Sequence, residues 1–157
     1  MKCLVQRVTE ASVTVKGQIV GKIGQGLVVL VGFTPGDGLS EITWMADKVV
    51  HLRIFPDDSG QTARSLLEVD GALLIVSQFT LYGDVRRGRR PDYSRALPRT
   101  AAASLYAKFV RLFESYSITP QTGAFGSEMY VHLINWGPVT LLLEREPEHK
   151  GETIGAN

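Results

Sequence analysis

At 157 residues the chain suits one domain with a real core, since a domain of this size buries about two-thirds of its unfolded surface. Hydrophobic residues make up 44% and charged residues 21%, which excludes a disordered chain, and no apolar run nears the roughly 20 residues that cross a bilayer. Seventeen Lys and Arg against sixteen Asp and Glu exclude a generally basic nucleic-acid coat, and the lone Cys3 excludes an intrachain disulfide or a thiolate metal cluster.

Met1 to Glu10 carries charges at Lys2, Arg7 and Glu10 and lacks a signal-peptide apolar segment, so a cytoplasmic protein is expected. Val13, Val15 and Ile19 alternate with polar residues around Gly17, the pattern of a hairpin, and the apolar run from Gly26 to Phe33 predicts a buried strand. The first third therefore reads as a meander. After the turn signal Pro35-Gly36-Asp37-Gly38, the spacing of Ile42, Met45, Val49 and Leu52 predicts a helix over 40–51 with Ser40 as its N-cap. Arg53-Ile54-Phe55 returns to extended structure, 56–60 turns, and 72–82 is the longest apolar strand candidate. An Arg-rich loop starts at Gly83.

Pro98 stands where a first-turn proline would, and the stripe Leu105, Phe109, Leu112, Phe113 and Tyr116 completes an amphipathic helix of about five turns from Pro98 to Tyr116, predicted to lie on a sheet. Alternation at Met129, Val131 and Leu133 then leads through Asn135-Trp136-Gly137-Pro138-Val139-Thr140 to the apolar end at Leu143, followed by a mostly acidic tail from Glu144 to Glu152. The fold class expected is mixed α/β (α+β): mostly antiparallel, barrel-like sheets with two main helices, in a single domain over 1–157.

A proline inside a strand donates no ladder hydrogen bond, so the Gly137-Pro138 pair needs another reason to be there. X-Pro is the one common bond that tolerates the cis form, and a cis pair would present two carbonyl oxygens side by side as a backbone acceptor. Ser77, Gln78 and Thr80 place hydroxyl and amide groups at the end of an apolar strand, with the backbone N–H groups at the Phe79-Thr80 corner available to a developing oxyanion. Thr80 as a nucleophile and His132 as a general base are both chemically open, although no base is visible beside Thr80 and no elbow motif supports a triad of Ser77, His132 and Asp84. Arg86, Arg87, Arg89 and Arg90 concentrate guanidinium groups suited to phosphate, opposed within 84–99 only by Asp84 and Asp92. His51, His132 and His149 fall in no metal-ligand pattern, so neither metal nor cofactor is expected.

Three stretches carry a family resemblance: SQFTLYGD, the Arg-rich segment ending in RRPDY, and FGSEMYVHLINWGPVT. With Gln6-Arg7-Val8, Ala11-Ser12-Val13 and Leu52 to Phe55, they make the chain resemble the D-aminoacyl-tRNA deacylases nearly end to end. The intact SQFTL and NxGPxT elements favour this branch over the sister enzymes that act on mischarged L-alanyl-tRNA. The resemblance implies hydrolysis of the ester in D-aminoacyl-tRNA, and of glycyl-tRNA mischarged on tRNA-Ala, by a homodimer whose active site lies at the subunit interface. In this picture the carbonyls of Gly137 and Pro138 reach the partner's pocket as a chiral filter braced by Arg7. Ser77, Gln78, Phe79 and Thr80 surround the terminal adenosine and ester, the substrate's 2′-hydroxyl assists catalysis, and Arg86, Arg87, Arg89 and Arg90 contact tRNA. The other classes to weigh are a non-catalytic tRNA-binding module and a small-molecule esterase using Thr80 or His132. Two departures from the family stand out: Gln61-Thr62-Ala63 after Gly60, and Trp136, expected at the dimer interface or the pocket rim.

Overall fold

The structure, a computed structural model, describes residues 1–148. The acidic tail is described only as far as Glu148, and His149 lies outside the described residues. Strand β1, Lys2–Val15, organises the sheet. Along one edge it pairs antiparallel with β8, Tyr130–Glu144. Along the other it pairs first with β2, Gln18–Ile23, and then with β3, Gly26–Gly32. The expected hairpin is present, turning at Lys16 (φ 49°) and Gly17 (φ 78°), two left-handed positions that match strand twist. The expected meander is not. β3 pairs with β1 rather than with β2, because β1 is long enough to take both in succession.

Helix α1, Leu39–His51, carries the chain over to β6, Ala72–Ser77, which lies parallel to β3 and to the short β7, Gln121–Thr122. Between them β4, Phe55–Pro56, and β5, Thr62–Arg64, form a small hairpin. A Cβ at Gly21 of β2 would collide with the Thr122 carbonyl of β7, so the two ends of the sheet meet and nearly close it. The mixed α/β, barrel-like fold with two helices is therefore as expected.

Near-closure explains why the strands read as continuous apolar runs. Leu27, Val29, Val31, Leu73 and Ile75 face the helices, whereas Val28, Leu74 and Val76 face the barrel interior with Val8, Ala11 and Val13. Buried on both sides, such strands have no polar alternation to show. Helix α2, Arg99–Leu112, buries Ala102, Tyr106 and Phe109 against the helix-facing layer, and Phe113 in the following 3₁₀ turn extends the row. The Tyr106 hydroxyl donates to the Ile75 carbonyl at 2.8 Å, which lets a tyrosine occupy this face. Burial pushes its pKa up to about 12.

Two local expectations differ. Ser40 lies inside the first turn of α1; the start is closed by Glu41, whose carboxylate accepts the Gly38 N–H at 2.8 Å. The strand expected over 72–82 stops at Ser77, and Phe79–Tyr82 forms a 3₁₀ turn. A Cβ at Gly32 would lie 2.8 Å from the Gln78 carbonyl, so glycine on the neighbouring strand is what allows the chain to turn there.

Candidate active site at the Gln78 corner and the Gly-Pro bulge

β6 delivers its last residue to the mouth of a cavity of about 530 Å³. Ser77, Gln78 and Phe79 line it, opposite a wall formed by Leu97, Phe125 and Met129. The ladder ends where the Gln78 N–H donates to the Val31 carbonyl at 2.7 Å. Beyond it the amides of Phe79 and Thr80 open the 3₁₀ turn, and among the described residues neither donates to an acceptor. Two adjacent N–H groups at a cavity mouth can receive an oxyanion. The Thr80 hydroxyl accepts a short hydrogen bond from the Gln78 side-chain amide, which ties these two candidates together. Phe79 is 57% exposed and meets Tyr93 in a T-shaped contact at 5.1 Å between ring centroids, which leaves a ring face open to a planar ligand.

The Gly137-Pro138 pair sits elsewhere on the chain. Its peptide bond is cis. Thr140 pairs with Gln6 and Asn135 with Val8, so residues 136–139 bulge out opposite the single residue Arg7. Arg7 is 6% exposed; its Nε donates to the Trp136 carbonyl at 2.9 Å and its Nη1 to the Ile54 carbonyl at 2.5 Å. On the other flank, Asn135 Nδ2 donates to the Val139 carbonyl at 3.1 Å. The bulge is thus held at both ends while Gly137 and Pro138 themselves are exposed.

Trp136 is half-buried beside the exposed Gly137-Pro138 pair. Its indole packs inward, 4.3 Å beneath the Arg7 guanidinium and 6.3 Å from the Phe55 ring. A flat guanidinium with no carboxylate beside it is well served by an aromatic face, which draws the side chain into the helix-side core. Burial holds the Arg7 pKa below its ordinary value.

Neither Gly137 nor Pro138 lines the cavity, whereas Val131 of the same strand does. Gly137 lies six positions along the strand from Val131, roughly 20 Å. One chain therefore carries the cavity and the bulge without bringing them together. His132 lines a separate cleft with Glu10 and Lys22, so the triad with Ser77 and Asp84 is not assembled. Asp84 is engaged by Arg86, whose side-chain and backbone N–H groups hold its carboxyl well below the usual carboxylate range.

The loop after Gly83 is closed by reciprocal backbone bonds between Asp84 and Asp92, at 2.7 and 2.9 Å, and presents its arginines at an exposed tip. Arg86 is spent partly on Asp84. Arg87, Arg89 and Arg90 have no ion-pair partner among the described residues. Sequence reasoning missed the opposite wall of the cavity, Leu97, Arg99, Phe125 and Met129. The one available signal was the FGSEM run, in which Gly126 (φ 73°) marks a special turn.

The family model described as D-Tyr-tRNA(Tyr) deacylase matches residues 4–144. A D-aminoacyl-tRNA deacylase of Acaryochloris marina is 49% identical over 148 residues, covering 94% of this chain and 98% of the relative. Another, from Thermosipho africanus, is 50% identical over 144 residues, covering 92% and 97%. A solved structure described as a c-Myc DNA unwinding element binding protein superposes with a TM-score of 0.87 at 41% identity, over 93% of this chain and 99% of that one. A probable eukaryotic D-amino acid tRNA deacylase, 18% identical with a TM-score of 0.81 over 90% and 97%, shares the fold.

Proposed function

The chain belongs to the D-Tyr-tRNA(Tyr) deacylase family and is a deacylase of D-aminoacyl-tRNA, and from that premise we propose how its own residues divide the work. The observation that carries the reading is the separation, on one chain, of an open cavity at the Gln78 corner and a braced main-chain bulge at Gly137-Pro138. A second copy supplies what one chain lacks. In the homodimer proposed here, the bulge of one protomer enters the cavity of its partner. Exposed apolar residues along β8, among them Tyr130 (61%), Ile134 (54%) and Leu142 (52%), support a partner on this face.

In the shared site the terminal adenosine stacks on Phe79, and Ser77 and Gln78 border its ribose. The carbonyl oxygens of Gly137 and Pro138 accept the substrate's α-amino group. An L side chain would then run into main chain, whereas a D side chain points outward and glycine has none to exclude. A glycyl ester of tRNA is accordingly a second substrate, and the family resemblance implies tRNA-Ala as its mischarged carrier. Water attacks the ester carbonyl carbon, and charge on the carbonyl oxygen falls to the amides of Phe79 and Thr80. The bond to the ribose 3′-oxygen breaks, and the water's proton reaches that oxygen by way of the neighbouring 2′-hydroxyl. The ester is already activated, so positioning does most of the work. The reaction belongs to the cytoplasm, where aminoacyl-tRNA is used.

Thr80 as a nucleophile is the second reading; its hydroxyl accepts from Gln78, and among the described residues no base is hydrogen-bonded to it. Replacing the terminal adenosine by 2′-deoxyadenosine should slow release by about 100-fold, whereas Thr80→Ala should cost less than about tenfold in single-turnover assays. The reverse order would favour the esterase.

The Arg-rich tip is proposed to grip acceptor-stem phosphates without reading sequence. Arg87→Glu with Arg89→Glu should weaken tRNA binding and flatten its salt dependence by roughly one unit of logarithmic slope per lost phosphate contact. Unchanged affinity and slope across a salt series would contradict the assignment.

A further inference from the structure

The deacylation chemistry requires no cation in the cavity, yet among its lining residues Arg99 is one, and the only charged one. Arg99 opens α2 at the positive end of the helix dipole, where a cation opposes the helix rather than supporting it. It has no carboxylate partner among the described residues. Its Nη2 approaches the Gly126 carbonyl at 3.4 Å. Gly126 has φ 73°, and a Cβ built on it would lie only 2.9 Å from the guanidinium carbon of Arg99. Glycine at 126 therefore leaves the space that the guanidinium fills. The outcome is a cation held at the lip of a mostly apolar cavity, in the same lining as Ser77, Gln78 and Phe79.

We infer that Arg99 is a substrate-binding residue that takes the 5′-phosphate of the nucleotide seated in this cavity. The inference rests on the reading of the cavity as the terminal-adenosine site. With the base on the open face of Phe79 and the ribose at the Gln78 corner, the polar group of a nucleotide still without a partner is its phosphate. A guanidinium meets phosphate through paired N–H groups, and every tRNA substrate carries that phosphate whatever its amino acid. Arg99 thus contributes affinity that does not depend on the side chain being proofread.

Calorimetric titration of the intact protein with adenosine and with adenosine 5′-monophosphate, at low salt, tests this. The nucleotide should bind about tenfold more tightly than the nucleoside. Arg99→Ala should erase that difference while leaving adenosine affinity unchanged, and Arg99→Lys should retain part of it. Equal binding of both compounds to the unaltered protein, or an unchanged ratio in Arg99→Ala, overturns the role of Arg99 alone. Binding of neither compound overturns the nucleotide reading of the cavity and the inference with it. A ratio unaffected by Arg99→Ala, together with slower release from D-aspartyl-tRNA but not D-tyrosyl-tRNA, would reassign Arg99 to a substrate carboxylate.

Discussion

Gly137→Ala is expected to slow release from D-tyrosyl-tRNA by about 100-fold, the scale on which a misplacement of an ångström lowers rates. The added Cβ would lie 2.8 Å from Val139 Cγ2, 2.9 Å from Arg7 Nη2 and 3.0 Å from the Val139 nitrogen, at a φ of 133° that L side chains rarely adopt. Two of these neighbours cannot give way freely. Arg7 is fastened to the Trp136 and Ile54 carbonyls, and the Val139 carbonyl is fastened to Asn135. The bulge must shift instead, carrying with it the carbonyl oxygens assigned to the α-amino group. Discrimination should fall along with the rate, because the surface that excludes an L side chain is the same main chain. Single-turnover release from D- and L-tyrosyl-tRNA measures both; a rate within twofold of the unaltered enzyme would contradict the role of the bulge.

The second large effect is expected at Arg7. Arg7→Met keeps the apolar bulk beside Trp136 and Phe55 but removes both donors, leaving the Trp136 and Ile54 carbonyls without a partner. Unmet carbonyls of this kind cost about 2 kcal/mol of stability, part of which is offset because an unpaired buried cation disappears as well. Activity should fall much further, by about 100-fold, since Arg7 is the single residue opposite the bulge and sets where it lies. Arg7→Lys should recover little of it: an ammonium on a flexible stem cannot hold two carbonyls in one plane or lie flat on the Trp136 ring. Urea unfolding beside single-turnover kinetics separates the two contributions. Stability and activity falling in proportion would reduce Arg7 to a core residue.

Much of the fold could be read from period and punctuation. Gly17 marks the hairpin, the Ile42, Met45 and Val49 spacing marks α1, and the Phe109-Phe113 row marks the face that α2 buries. What could not be read depended on neighbours distant in sequence. β3 follows β2 onto β1 only because β1 runs for 14 residues, and the chain turns at Gln78 only because Gly32 on the adjacent strand leaves room. The site divides in the same way. Ser77, Gln78 and Phe79 were visible as polar and aromatic groups closing an apolar run, and Gly137-Pro138 as a proline out of place. Arg99 gave no comparable sign and Phe125 only its place in the FGSEM run, because the wall they share is set by the packing of α2 against the sheet. Trp136 stands out in sequence only as a departure from the family pattern, because the residue it packs against, Arg7, is 129 positions away.

The measurement that bears most directly on the account is a side-by-side single-turnover assay of the unaltered protein with D-tyrosyl-tRNA and L-tyrosyl-tRNA, with the amount of each substrate remaining followed in time. A main-chain filter predicts rapid release of tyrosine from the D ester alone, while the L ester decays no faster than it does without protein. Equal release from both esters, or release from neither, would contradict it.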